Sequence, residues 1–266
     1  MAICPVHGDS NPSLAIYADG AYCFACKATW SSQDLLAQYP VLQVRYQSRG
    51  CRKDAKPTYI PASLVETYHQ WIFTRYGHRR AWYHERGLTD KTIKKLKLGH
   101  ALQSFTIPVL DILGKVKQLR FRCDPAYLDC SMGPKYWGVS GANQPTIYLP
   151  VNLLGSRDVV FLCEGELDAA RLYQENLPAV SITNGARAFG GGQMKRAFEQ
   201  VRTVYVCYDQ DEAGEEGAQE VQEILGPKAI RVSWDIRFGK DITELLQNIS
   251  IFEFHKIVRK NGALHR

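Results

Sequence analysis

From residue 158 onward, short apolar runs alternate with longer stretches whose apolar positions recur every three or four residues. The runs at 158–163, 179–183, 204–208 and 229–233 predict buried strands, and the stretches at 167–176, 193–200 and 213–225 predict helices. Such an alternating series folds as βαβ units around a parallel sheet. The residues before it follow another pattern. Helices are predicted over 63–76, 81–85 and 90–96 and strands over 105–110 and 116–122, a mixed α+β region. The first 38 residues read as a small β-rich ribbon that ends near a short helix at 32–38. Residues 40–61 mix Arg, Ser, Gly and Pro without helical period, as a tether does. The expected fold is therefore multi-domain α/β. It has a ribbon at 1–40, a basic linker at 41–61, a mixed α+β subdomain at 62–156, a Rossmann-like parallel-sheet domain at 157–250 and a tail at 251–266.

Two of the predicted strands run directly into acids. Val159–Cys163 leads into Glu164-Gly165-Glu166-Leu167-Asp168, and Val204–Tyr208 leads into Asp209-Gln210-Asp211-Glu212-Ala213-Gly214. Open α/β sheets place ligands at the carboxyl ends of their strands, so both clusters should share one rim. Glu164 and Asp168 are four apart across a strand-to-helix turn, and Asp209 and Asp211 are two apart on an extended segment, so each pair can face one way. Converging carboxylates repel one another. Magnesium relieves that repulsion because it takes carboxylate oxygens together with water and phosphates, which points to phosphoryl transfer on nucleotides. Two further segments have two readings each. Asn184-Gly185-Ala186-Arg187 after a strand either brings Arg187 to a phosphate or is a plain glycine turn, and Asp241 either joins the metal acids or caps a helix over 242–247.

The amino terminus carries a second pattern. Cys4-Pro5-Val6-His7 and Cys23-Phe24-Ala25-Cys26 are two ligand pairs, each with two residues between, divided by a loop containing Gly8, Pro12 and Gly20. Three thiolates and one imidazole at this spacing close a tetrahedron around structural zinc.

The strand-end Glu164 followed by Asp209-x-Asp211, with Gly165, Asp168, Ala213 and Gly214, resembles the Toprim domain of DnaG-type primases, topoisomerases and some nucleases. The zinc spacing is similar to the amino-terminal zinc-binding domain of DnaG-type primases. Arg86-Gly87-Leu88 before a helix, the segment Leu119–Arg122 and Pro134-Lys135-Tyr136 follow in the order of the primase polymerase core. The resemblance implies a DNA primase that makes short RNA primers on single-stranded DNA by metal-dependent nucleotidyl transfer. It assigns Glu164, Asp168, Asp209 and Asp211 to catalysis, and Glu164, Asp209, Asp211 and Asp241 to magnesium or manganese. Cys4, His7, Cys23 and Cys26 would hold zinc, and Arg120, Arg122, Lys135 and Arg187 would contact nucleotide or template. Tyr22, Phe24 and Trp30 are candidates to stack template bases. Ribonucleoside triphosphates and a replicative helicase are the implied partners.

Composition narrows the alternatives. The 266 residues carry a formal net charge of +6, and Arg45, Arg49, Arg52, Lys53, Lys56, Arg75, Arg79, Arg80 and Lys91 to Lys97 crowd the half before the acids, as suits a phosphate backbone. No apolar stretch approaches the ~20 residues that span a bilayer, so a cytoplasmic location is expected. Of eight cysteines, three belong to the zinc pattern, Cys163 and Cys207 sit in apolar strands, and Cys51, Cys123 and Cys130 read as ordinary thiols. The chain lacks a Walker-type phosphate loop, so a helicase would be a separate chain or lie beyond Arg266, in phage or plasmid replication. Two rival readings remain: a non-catalytic nucleic-acid-binding protein on a primase scaffold, and another Toprim enzyme of nuclease or topoisomerase type.

Overall fold

The computed structural model of the chain describes residues 14–16, 20–23, 25–31, 60–131, 134–138, 145–155, 158–190 and 192–264. The expected ligands Cys4 and His7, the helix at 32–38 and the tether at 40–61 lie outside the described residues.

Strands β1 (Leu14–Ile16), β2 (Gly20–Cys23) and β3 (Thr29–Ser31) form an antiparallel ribbon. Between β2 and β3 the chain turns as a tight knuckle. Cys23 accepts from the Lys27 N–H at 2.9 Å, its own N–H donates to the Ala28 carbonyl at 2.9 Å, and Lys27 takes a φ of +65°.

The mixed region begins with α1 (Ala62–Phe73), α2 (Ala81–His84) and α3 (Asp90–Lys95), whose Thr89 cap accepts from the Thr92 N–H. An antiparallel sheet follows in the order β4 (Gly99–Ala101), β5 (Ser104–Leu110), β6 (Val116–Cys123), β7 (Tyr136–Gly138). Phe105 pairs with Arg122 and Ile107 with Arg120, so both arginines share a sheet face with the apolar residues of β5. The other face packs Leu119 and Phe121 against Tyr68 and Val65 of α1.

The basic run is partly spent inside this region. Arg79 Nε and Nη2 donate to Asp124 at 2.8 and 2.5 Å, and His100 Nε2 meets the same carboxylate at 2.8 Å. Arg80 pairs with Asp90 at 3.1 Å, and Lys97 with Glu66 at 2.9 Å. Cys123 and Cys130, expected as ordinary thiols, are joined in a disulfide with Cα atoms 5.8 Å apart. The N–H groups of Tyr127 and Leu128 both donate to the Asp124 carbonyl, and this turn brings Cys130 back to the end of β6.

The second sheet has the order β12 (Ala229–Arg231), β11 (Thr203–Cys207), β9 (Val159–Cys163), β10 (Ala179–Ile182), β8 (Ile147–Tyr148). Four strands are parallel, and β8 closes the edge antiparallel to β10, a strand that no apolar run announces. One face packs Val160, Leu162, Val204 and Val206 on Phe189, Phe198 and Val221. The helices around it are α4 (Val151–Gly155), α5 (Glu166–Gln174), α6 (Gly192–Ala197), α7 (Glu212–Leu225), α8 (Ile242–Asn248) and α9 (Ile251–Leu264). The segment expected as a tail is α9, and its Phe254 and Val258 are buried on the opposite sheet face beside Phe161 and Leu245. The same core takes in Phe105, Ile107 and Val109 of β5, so both sheets share it.

Candidate active site

The acidic turns are set by close backbone approaches. Glu164 and Gly165 connect β9 to α5, and a Cβ on Gly165 would lie 2.6 Å from Asp168 Oδ2, so glycine lets that carboxylate fold back over the turn. Asp168 Oδ1 then accepts from the Thr243 N–H at 3.0 Å and its hydroxyl at 2.7 Å. After β11, Asp211 caps α7 by accepting from the Gly214 N–H at 2.8 Å. A Cβ on Gly214 would lie 2.2 Å from the Asp209 carbonyl oxygen, so no other residue fits that crossing. Arg231 of β12 holds the same turn from behind: Nη1 and Nη2 donate to the carbonyls of Tyr208 and Asp209 at 2.7 and 2.8 Å. Asp241 caps α8 by accepting from the Glu244 N–H at 2.7 Å.

These turns open on a cleft of about 790 Å³. Glu164, Asp168, Asp209 and Asp241 line one side, and Arg120, Arg122 and Lys135 line the other with Tyr136 and Trp137. The buried carboxyls of the acidic side resist ionisation. Burial first and the Asp209 charge second push the Glu164 carboxyl up to about 6. Burial and then Asp241 raise both Asp168 and Asp209, while burial raises Asp241. Asp211 moves the other way, lowered first by the Lys240 ammonium and then by the Gly214 N–H. On the cationic side, Arg120 Nε lies 3.2 Å from Glu166 Oε1 and Nη1 donates to Asn184 Oδ1 at 2.9 Å. Arg122 donates to the Tyr136 hydroxyl and stacks on Trp82 and Tyr136. Behind it, Arg86 lies 3.5 Å over the Trp82 ring. Lys135 is lowered by desolvation and then by Arg122, Lys240 and Arg86.

The structure thus brings Glu164, Asp168, Asp209, Asp241, Arg120, Arg122 and Lys135 to one cleft, with Asp211 at its edge through Lys240. Arg187 is placed elsewhere. Asn184 and Gly185 both take positive φ, the chain enters a 3₁₀ turn over Ala186–Phe189, and the exposed Arg187 pairs with Glu216 of α7. Sequence reasoning missed Lys240, Asn184 as a holder of Arg120, and Arg231. A Lys directly before a capping Asp was the one signal for Lys240; the others depend on strand register. Among the described residues, no three His, Cys, Asp or Glu side chains are gathered to hold a metal ion. In the ribbon, the Cys26 N–H donates to Cys23 Sγ at 3.4 Å, with Cys23 buried and Cys26 exposed.

Residues 161–246 match the Toprim-like family. The chain carries a Toprim domain. It is 23% identical over 326 residues to the DNA primase of Campylobacter jejuni, with 97% of this chain and 52% of that protein covered. The chain thus spans about half the length of the curated relative it matches. The zinc-binding and RNA polymerase domains of Aquifex aeolicus primase superpose with a TM-score of 0.58 at 17% identity, covering 98% of this chain and 78% of that one. The primase fragment of the bacteriophage T7 primase-helicase protein gives 0.53 at 17% identity, covering 97% and 98%. The chain is homologous to DnaG-type primases, and the structural likeness extends over their fold.

The Toprim acids suit a hard divalent ion: every donor is a carboxylate oxygen, and burial first, with repulsion from neighbouring carboxylates, raises Glu164, Asp168, Asp209 and Asp241 from their ordinary values. That strain has a measurable cost. A carboxyl raised in the folded state loses stability as pH rises from its ordinary value of 3.8 through its folded value, because ionising it is harder in the fold than in the unfolded chain. Asp168→Asn keeps an oxygen for both Thr243 donors and removes a carboxyl whose ionisation the fold resists. In metal-free buffer at neutral pH it is expected to stabilise the Toprim domain by about 1–2 kcal/mol. Urea unfolding of both proteins at pH 5 and pH 8 checks this; the gain is larger at pH 8.

Proposed function

We propose that this chain synthesises short RNA primers on single-stranded DNA by metal-dependent nucleotidyl transfer. The observation that carries the reading is the cleft itself, with Toprim carboxylates on one side and Arg120, Arg122 and Lys135 on the other. Glu164, Asp209, Asp211 and Asp241 would hold one or two magnesium or manganese ions, which supply charge neutralisation at the reacting phosphate. Arg120, fixed by Glu166 and Asn184, presents a guanidinium whose direction is set before the triphosphate arrives. Arg122 and Lys135 extend the same cationic wall toward the template or the β- and γ-phosphates. Glu164, raised to about 6 by burial and then by Asp209, either ligates one of these ions or takes the proton of the attacking 3′-hydroxyl. Asp168 acts through Thr243, tying α5 to α8 and so setting Asp241 against Asp209.

In the ribbon, Cys4, His7, Cys23 and Cys26 would hold structural zinc, consistent with the Cys23–Cys26 knuckle. A replicative helicase is the proposed partner, and phage or plasmid replication the proposed setting. Arg187, paired with Glu216 outside the cleft, is not needed for nucleotide in this scheme.

The test is direct. Purified protein is incubated with mixed single-stranded DNA templates, four labelled ribonucleotides and magnesium or manganese, and products are resolved on a gel. Short template-dependent RNA is expected, abolished by chelation and restored by adding either metal. No RNA with either metal, with single-stranded DNA still bound, would replace this reading by the non-catalytic binding protein.

A further inference from the structure

We propose that Lys240 is a positioning residue that competes with a divalent cation for Asp209 and Asp211 and yields the pair when that cation binds. This rests on the reading of these acids as metal ligands. The Lys240 ammonium lies 2.7 Å from Asp211 Oδ2 and 3.3 Å from Asp209 Oδ2, so one charge spans both. It draws together two carboxylates that repulsion would otherwise splay. The backbone of Lys240 cannot follow a displaced side chain. Its carbonyl accepts from the Gln210 N–H at 2.8 Å, and its N–H donates to Glu244 Oε2 at 2.8 Å. Only the four-carbon stem is left to move, and it lies at an exposed position.

Ion pairs of this exposure are weak, whereas a divalent ion binds carboxylate oxygens through its full double charge. The cation therefore displaces the ammonium from the acids. Lys240 already lines the same cleft as Arg120, Arg122 and Lys135. Released from the acids, its ammonium adds to the wall that faces the incoming phosphates. A metal-free site is thus kept in shape by a charge that becomes available to substrate only once the metal has arrived.

The full chain tests this with manganese alone. Calorimetric titration is run on the wild type, Lys240→Met, Lys240→Arg and Lys135→Met, each first checked for cooperative melting. Lys240→Met is expected to tighten manganese binding about tenfold, and Lys240→Arg to stay within about threefold of wild type. Lys135→Met removes an equal charge that touches neither acid, and its effect is expected to be clearly smaller. Unchanged or weaker binding in folded Lys240→Met overturns the proposal. An equal gain in Lys135→Met overturns it too, since nearby charge rather than contact would then govern. Should Lys240→Met fail to fold, acylation of the wild type read by mass spectrometry decides: magnesium is expected to raise labelling of Lys240 relative to exposed Lys91, and unchanged or lower labelling refutes displacement. Neither readout depends on RNA synthesis. A chain that makes no primer can uphold the proposal, and an active primase can refute it.

Discussion

Glu164→Gln is expected to lower primer synthesis by about 10²–10⁴-fold while single-stranded DNA binding stays within about twofold of wild type. The substitution keeps side-chain length and an oxygen for the Asp209 N–H, which approaches Glu164 Oε2 at 3.4 Å. What it removes is one negative charge at the centre of the acidic wall. The same charge is costly to the fold, because burial and the neighbouring Asp209 raise the Glu164 carboxyl to about 6. The variant should therefore melt no lower than the wild type. Activity lost with stability kept is the signature of a residue at the chemistry. Primer yield is read on the gel assay, DNA binding by fluorescence anisotropy and stability by thermal melting. Wild-type yield from Glu164→Gln would remove this residue from the reaction.

The largest effect on stability is expected from Asp124→Asn, at about 3–5 kcal/mol, or a fall in melting temperature on the order of 10 °C. Asp124 is fully buried and receives Arg79, His100 and the Ala126 N–H together. Burial alone would raise its carboxyl, but the hydrogen bonds from His100 and Arg79 outweigh burial and hold it at about 2. An amide in its place leaves the Arg79 guanidinium without its charge partner. The pH dependence has a definite sign. A carboxyl lowered from 3.8 to about 2 contributes stability in full above pH 4 and loses it as pH falls toward 2, a change of about 2 kcal/mol. His100 adds to the acid loss. Burial lowers its pKa, and its buried Nδ1 faces no acceptor, so taking a second proton carries a penalty. Urea unfolding from pH 7 to pH 3 should show the gap between wild type and variant closing only below pH 4. A constant gap would mean that packing rather than charge is what Asp124 contributes.

How much of this was legible beforehand depends on the range of the interaction. The acids could be placed because each follows a buried strand within a few residues, and Gly214 because it stands in the same turn. Asp241 was readable as a cap, and the structure shows that capping and facing the cleft are compatible: Oδ1 serves α8 while burial still raises the carboxyl. The ion pairs of Lys240 were not readable, since its partners are some thirty residues away and meet it only once α7 and α8 are docked. The grip of Glu166 and Asn184 on Arg120 requires the β5–β6 register and the docking of two sheets, neither of which a local pattern encodes. The Cys123–Cys130 disulfide depends on a turn built around the Asp124 carbonyl. Helix α9 was hidden for another reason: its apolar stripe is short and interrupted, and its burial comes from packing Phe254 and Val258 beside Leu245 and Phe161, the latter far away in sequence.

The shared core beneath the cleft has a mechanical consequence. Phe105, Ile107 and Val109 of one sheet pack in the same cluster as Phe161, Cys163 and Leu167 of the other, so the two jaws are welded along their base. Opening them like a clamshell would expose that weld to water. The gap between arginines and carboxylates is then a fixed gauge, set when the chain folds, and a ligand is selected by whether it fits the gauge rather than by whether it can make the jaws close.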